Sequence, residues 1–433
     1  MKKLVLALVA LAAIVAVATP ALAEFKVSGY YRTQGIATNS DDSLVSFDGP
    51  NAAALDSKTQ SMVDARLRFK AEYILNENLS LVHFSEVDAT WGDSGKDGGP
   101  GGDRTSIETK NVYMNYKQGM VNATVGLQGL GDRYQGLLIA DDWSAAKVSL
   151  ALTDGFKLTG LWAKPDEGTS KLNYDDTDLY MVSADGNAGS LKYGLDVAWL
   201  DQNQGTLTSA GPGDSPIFFM TNPLDLYFVG ASADAKISDD FGISAFGLYV
   251  TGSEDIPGGA DVTGYTASIA ADIKADKNKF GARVLYMSAD DFSDADSEAF
   301  TPNLGGNYDL AKENLMIFYT DAFYNNGPGG RLATASATNN GTGLIGLSAK
   351  ADLALGDYYA KLGAGYFMAA DTPTGVDDSL GYEVAARIGR VFAEKLDTSV
   401  NLAYAGLGDY WKDAGAGNDD DIWKATVMMN INF

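Results

Sequence analysis

The densest chemistry in the sequence lies at residues 63–73. Asp64, Arg66, Arg68, Lys70 and Glu72 alternate there with Val63, Ala65, Leu67, Phe69, Ala71 and Tyr73. At period two, five charges leave one side of an extended strand and six uncharged, mostly apolar side chains leave the other. Such a ladder can pair ions, bind polar solutes and steer charge. Buried in an apolar core it would carry a severe desolvation cost, so its charged side must meet water. The wall of a water-filled lumen satisfies that, and so does the wet face of an open soluble sheet.

Catalysis is poorly provided for. The chain has one histidine, His83, and no cysteine. Ser–His or Cys–His nucleophilic chemistry would rest on His83 alone, and no G-x-S-x-G frame is present. No phosphate-binding glycine motif sits at a strand–helix junction. Without cysteine there is no disulfide framework, thiolate metal site or haem-attachment motif. Carboxylate pairs (Asp41-Asp42, Asp141-Asp142, Asp175-Asp176, Asp290-Asp291 and Asp419-Asp420-Asp421) are expected in a chain with 57 acidic residues. They read as solvated loop tips in preference to discrete cation sites. No catalytic residue, metal site or cofactor is assigned, and the chain reads as a non-enzyme.

The N-terminus is a secretory signal in form. Lys2 and Lys3 precede an apolar run from Leu4 to Val17, Thr19-Pro20 breaks it, and Ala21-Leu22-Ala23 supplies a small-residue cleavage site. The expected division is a cleaved signal peptide at 1–23 and a mature chain at 24–433. Without Lys2 and Lys3, 30 basic residues face 57 acidic ones, a net charge of −27. That balance argues against a nucleic-acid partner, which wants a basic footprint.

Beyond Ala23 no apolar run approaches the roughly 20 residues that a membrane helix needs. Alternation recurs instead. It is seen at Phe25–Thr33, at Val121–Gln128, at Leu191–Trp199, at Tyr265–Lys274 and at Tyr382–Ile388. Two stretches depart from it: Leu315–Tyr324 is apolar on both faces, and Leu79–Trp91 loses phase near His83. Tight turn residues such as Asn76-Glu77-Asn78, Asp154-Gly155 and Gly356-Asp357 alternate with long polar connectors, among them 38–59, 131–143, 201–224 and 325–341. Aromatic residues including Tyr31, Tyr73, Trp91, Trp162, Trp199, Tyr249, Tyr286, Tyr404, Trp423 and Phe433 fall near strand ends on the apolar phase, where a bilayer has its headgroups. Only helices and closed barrels satisfy their backbone inside lipid. The expected fold is therefore all-β: a single transmembrane antiparallel β-barrel with an even strand number, about 18 to 20. The higher count depends on a weak strand near 303–310.

The last strand carries the most specific motif. Trp423, Ala425, Val427, Met429, Ile431 and Phe433 share one face, opposite Lys424, Thr426, Met428, Asn430 and Asn432. With the signal and the barrel pattern, this ending resembles the Gram-negative outer-membrane porins. The resemblance implies Sec-type export to the cell outer membrane, contact with outer-membrane lipids, and a terminal Phe433 read by the barrel-assembly machinery. It also implies a loop folded into the barrel, for which the third long connector, 131–143, is the candidate by position. That connector holds Leu137, Leu138 and Ile139, unusual in a free tip, together with Asp132, Arg133, Asp141 and Asp142. By analogy these charges would face a basic ladder of Arg32, Arg66, Arg68 and Lys70, a field that selects solutes.

The function this implies is passive diffusion of small hydrophilic solutes and ions through an ion-transporting channel lined by Lys26, Arg32, Asp64, Arg66, Arg68, Lys70 and Glu72. The alternatives are a substrate-specific channel and a plugged structural or adhesive surface barrel. A homotrimer is compatible with small apolar outward faces. Selectivity stays open, because an acidic mouth and a basic ladder pull in opposite directions.

Overall fold

The computed structural model describes residues 24–39, 59–93, 98–99, 107–167, 176–203, 223–256, 259–293, 296–300, 310–319, 321–323, 332–333, 341–414 and 420–433. The signal segment 1–23, Asp41-Asp42, Asp175 and Asp419 lie outside them.

Eighteen strands form one sheet. They are β1 (Glu24–Thr38), β2 (Gln60–Asn76), β3 (Leu79–Thr90), β4 (Glu108–Gln118), β5 (Val121–Gly131), β6 (Ala140–Thr153), β7 (Phe156–Asp166), β8 (Thr177–Ala188) and β9 (Leu191–Gln202). The second half comprises β10 (Leu224–Lys236), β11 (Phe241–Glu254), β12 (Asp261–Ala275), β13 (Asn278–Met287), β14 (Leu344–Leu355), β15 (Tyr358–Met368), β16 (Ser379–Phe392), β17 (Leu396–Leu407) and β18 (Ile422–Asn432). Each pairs antiparallel with its sequence neighbours, and β1 pairs with β18, so the sheet closes into a barrel without edges. Tyr31 lies opposite Ile431 at the closure, and Gly29 and Phe433 exchange two backbone hydrogen bonds of 3.0 Å.

The period of two decides what faces out. Val197, Val229, Ile269, Val384 and Val427 all stand exposed on the outer surface, in step with their neighbours across the sheet. Aromatic rings border this band. At the end carrying the long connectors, Tyr180, Trp199 and Tyr227 stack on adjacent strands with centroids 5.3 and 6.3 Å apart. At the tight-turn end, Phe25 and Tyr73 lie 4.8 Å apart. An oily band between two aromatic girdles is the surface of a membrane-spanning barrel. No helix among the described residues is long and apolar enough to cross a membrane; the strands do so.

Two sequence expectations meet the structure here. The barrel closes at 18 strands, within the expected 18 to 20, with β13 paired directly to β14; of the weak strand near 303–310 all but Leu310 lies outside the described residues. Residues 310–313 are a turn of 3-10 helix, and Leu315–Tyr319 is buried non-strand chain. Its apolarity on both faces reflects enclosure on all sides, which a half-exposed strand does not have. Second, β3 keeps its phase. Val82 and Glu86 are buried while Leu81 and His83 are exposed, so His83 stands on the outer face. The irregularity belongs to the pairing with β4, whose register shifts between Phe84 and Ser85.

Candidate functional site

The lumen is the candidate site, and its wall has two sectors. On β1 to β3 it is charged. Arg66 makes a bidentate pair with Asp88, at 2.6 and 2.5 Å, and reaches Glu86 at 3.2 Å. Arg68 donates to Glu86 as well. The guanidinium carbons of Arg32 and Arg68 lie 5.6 and 5.8 Å from the Tyr30 ring, a cation–π arrangement between like charges. Arg32 lies opposite Arg66, and Lys26 opposite Glu72, in the β1–β2 register. Lys26 also meets Glu24 at 3.6 Å near the turn end. Asp64 and Lys70 stand half-buried on the same face of β2.

Elsewhere the wall is covered by chain folded inward. The connector between β5 and β6 makes a compact knot. The Asp132 carboxylate accepts the backbone N–H groups of Tyr134, Gly136, Leu138 and Ile139 at 2.6 to 2.8 Å. Burial pushes the Asp132 carboxyl above its ordinary range, and the four donors only partly offset this. Leu137, Leu138 and Ile139 are buried. Arg133 pairs with Asp196 on β9 at 2.7 Å and with Asp185 on β8 at 3.0 Å. The Tyr134 hydroxyl donates to Asp196 at 2.6 Å, and burial followed by that carboxylate pushes the phenol up. Glycine makes this seat: a Cβ at Gly194 would collide with the Arg133 guanidinium, and one at Gly230 with the Tyr134 ring.

A second inward segment, at 310–319, 321–323 and 332–333, comes from the connector between β13 and β14. Glu313 takes Arg283 of β13 at 2.7 Å and the Ser348 hydroxyl of β14 at 3.1 Å. Glu383 of β16 accepts the N–H groups of Met316 and Phe318 at 2.6 and 2.9 Å, and that of Ile317 at 3.2 Å. Lys424 of β18 pairs with Asp321 at 2.7 Å, both buried. Phe318 stacks on Phe367 of β15 with centroids 4.5 Å apart. The apolar groups of both segments join the inward side chains of β6 to β17 in one cluster that includes Leu200, Phe228, Leu285 and Phe367.

Arg66 and Arg68 stand on the expected ladder; their partners Glu86 and Asp88 lie on the inward phase of β3, which the local pattern near His83 obscures. Glu383 and Lys424 sat on the polar phase of their strands, yet nothing local named the segment they hold. Asp132 serves its own loop and Arg133 turns to β8 and β9, so among the described residues no ion pair joins this connector to Arg32, Arg66, Arg68 or Lys70. Asp141 and Asp142 belong to β6, not to the loop, and Asp142 pairs with Lys110 at 2.9 Å. Asp290, Asp291 and Glu298 bring oxygens within 4.8 Å of one another, but Asp290 and Asp291 already accept the Phe292 and Ser293 N–H groups of their own loop.

These features define a porin-type barrel: closed, oily outside, with a polar wall and chain folded into the lumen. No protein-family model matches the chain, and no curated protein sequence does. Solved structures do match. Pseudomonas aeruginosa OccK9 (OpdG) has a TM-score of 0.59 at 11% identity, over 95% of this chain and 99% of that one. OpdL of the same species has 0.57 at 9% identity, over 95% and 99%. OpdK with vanillate, again from that species, has 0.56 at 9% identity, over 95% and 98%. At such identities the likeness is one of fold.

Proposed function

We propose that the protein is an outer-membrane porin, a passive diffusion channel for small hydrophilic solutes and ions. The observation that carries this reading is the contrast across one strand: on β2, Phe69 and Tyr73 stand on the oily exterior while Arg66 and Arg68 form ion pairs on the inner side. A polar wall inside a closed barrel is a route for solutes that lipid excludes. Lys26, Arg32, Asp64, Arg66, Arg68, Lys70 and Glu72 line that route. The knot at 132–139 and the segment at 310–319 and 321–323 narrow it from the other side. No step of the function calls for a catalytic group.

One observation favours the substrate-specific alternative. The two inward segments are tied to the wall by ion pairs and buried aromatic stacking, which gives the passage a fixed shape. A solved structure of similar fold carries vanillate. Phe433 serves as the assembly signal, held in the closing seam by Gly29. A homotrimer would use the outer face of β1 to β3, where Thr33, Gly35, Ala65, Ser85 and Ala89 are small.

The test is planar-bilayer conductance of the purified protein with a salt-gradient reversal potential. Discrete ion steps are expected. A barrel that inserts and passes no current would return the reading to a plugged surface barrel.

A further inference from the structure

The seam where the barrel closes carries hydrogen-bonding capacity that nothing uses. Gln34 of β1 and Ser399 of β17 both lie opposite Met428 of β18, one on each side of that strand, and Asn401 sits one inward position further along β17. All three are buried, at 1%, 5% and 1% exposure. Both polar atoms of the Gln34 amide, the Ser399 hydroxyl and the Asn401 side-chain oxygen have no hydrogen-bond partner. Asn401 spends its amide nitrogen on the Thr426 hydroxyl at 2.6 Å. Dehydrated polar groups left unbonded are unfavourable, and a native set of them calls for a solute or water that completes it.

The charges around the seam are already engaged. Arg387 pairs with Asp397 at 2.6 Å and donates to the Tyr359 hydroxyl at 2.9 Å. Arg66 is taken by Asp88, and Lys424 by Asp321. Arg32, the next inward residue of β1, and Asp64, opposite Gln34 on β2, are engaged as well. What Gln34, Ser399 and Asn401 leave over is uncharged: an amide that donates, two amide oxygens that accept, and a hydroxyl that does either. Two strand spacings separate Gln34 from Ser399, roughly 9–10 Å along the sheet. A carboxylate solute would want an unpaired cation there. A hydroxyl-bearing solute matches what is present.

We propose that Gln34, Ser399 and Asn401 form a subsite for a neutral, hydroxyl-bearing solute of the sugar or polyol class, at the junction between the charged wall and the second inward segment. The proposal rests on the channel reading and adds the chemistry of what passes. The subsite is shut from water in this conformer. Beside it Asp321 holds Lys424, and Phe323 lies 5.5 Å from the Arg387 guanidinium.

The test compares glucose with gluconate, solutes of similar size that differ in charge, in influx into liposomes carrying the full chain. Wild type and Gln34→Met are first matched for KCl conductance. Glucose influx is expected to fall about five- to tenfold in Gln34→Met, the value of one or two lost hydrogen bonds. Gluconate influx and KCl conductance should hold within about twofold, below the loss of a single average hydrogen bond. Equal losses for both solutes, or no loss for glucose, would overturn the subsite and leave the seam filled by ordered water only. If Gln34→Met does not fold, Ser399→Ala and Gln34→Asn carry the same comparison. A wild type that passes no KCl overturns the channel itself, an outcome distinct from a conducting pore indifferent to Gln34.

Discussion

The charged sector on β1 to β3 and the covered sector from β6 to β17 are built from strands of the same period, yet they solve the inner face in opposite ways. On β1 to β3 the inward positions include long charged side chains that satisfy one another across adjacent strands, as Arg66 does with Asp88 and Glu86. From β6 to β17 the inward positions include glycine and apolar residues, and they accept chain from elsewhere. Gly194 and Gly230 receive Arg133 and Tyr134, and Phe367 receives Phe318. One wall is satisfied by its own neighbours, with Arg66 and Glu86 buried against each other, whereas the other is satisfied by chain folded onto it.

The comparison is broken most forcefully at Glu383. Glu383→Ala leaves the N–H groups of Met316, Ile317 and Phe318 buried without an acceptor, a cost on the order of 3 kcal/mol or more. A lower thermal unfolding midpoint in detergent is expected, together with larger conductance as the chain around 316–318 loosens. The wild-type midpoint would mean that this carboxylate does not anchor the segment.

Next in size is the glycine seat of the first knot. Gly230→Val places side-chain atoms where the Tyr134 ring lies, and overpacking of this kind costs about 1–3 kcal/mol. The loop should leave the wall and single-channel conductance should rise. Unchanged conductance would show that 132–139 does not narrow the path.

The charged sector is probed by ion preference. Arg66→Gln with Arg68→Gln leaves Glu86 and Asp88 without their cations, so the reversal potential should move toward cation selectivity. Adding Glu86→Gln and Asp88→Asn should bring it back. A reversal potential indifferent to both sets would place the ladder off the ion path.

The smallest effect concerns pH. Burial holds the Asp132 carboxyl above its ordinary value of 3.8, so the folded knot takes up a proton more readily than the unfolded chain does. Its contribution to stability is complete below 3.8 and is lost as pH rises through the raised value. Loop-dependent current noise should grow across that interval in the wild type, and Asp132→Asn should remove the dependence.

The strands could be read from the sequence because a half-buried strand writes its environment into every second residue. Val427, Met429 and Ile431 announce lipid, and Asn430 and Thr426 announce the interior, without knowledge of their neighbours. Aromatics near the strand ends were legible for the same reason. The lumen was harder. Leu315–Tyr319 has the composition of a strand, and only its enclosure by β13 to β16 makes it something else. Glu86 and Asp88 escaped notice because Val82 and Phe84 share their inward phase, which blurs the alternation of β3.

What the sequence determined by itself was the local rule: alternation, turn placement, and therefore a closed barrel with an oily outside. That rule is a property of one strand meeting lipid on one face and water on the other. Only the tertiary structure decided the count of eighteen, the partners of Arg66 and Arg133, and which connectors turn inward. Those depend on contacts between residues far apart in the chain, such as Lys424 with Asp321, whose pairing energy exists only once the barrel has closed around them.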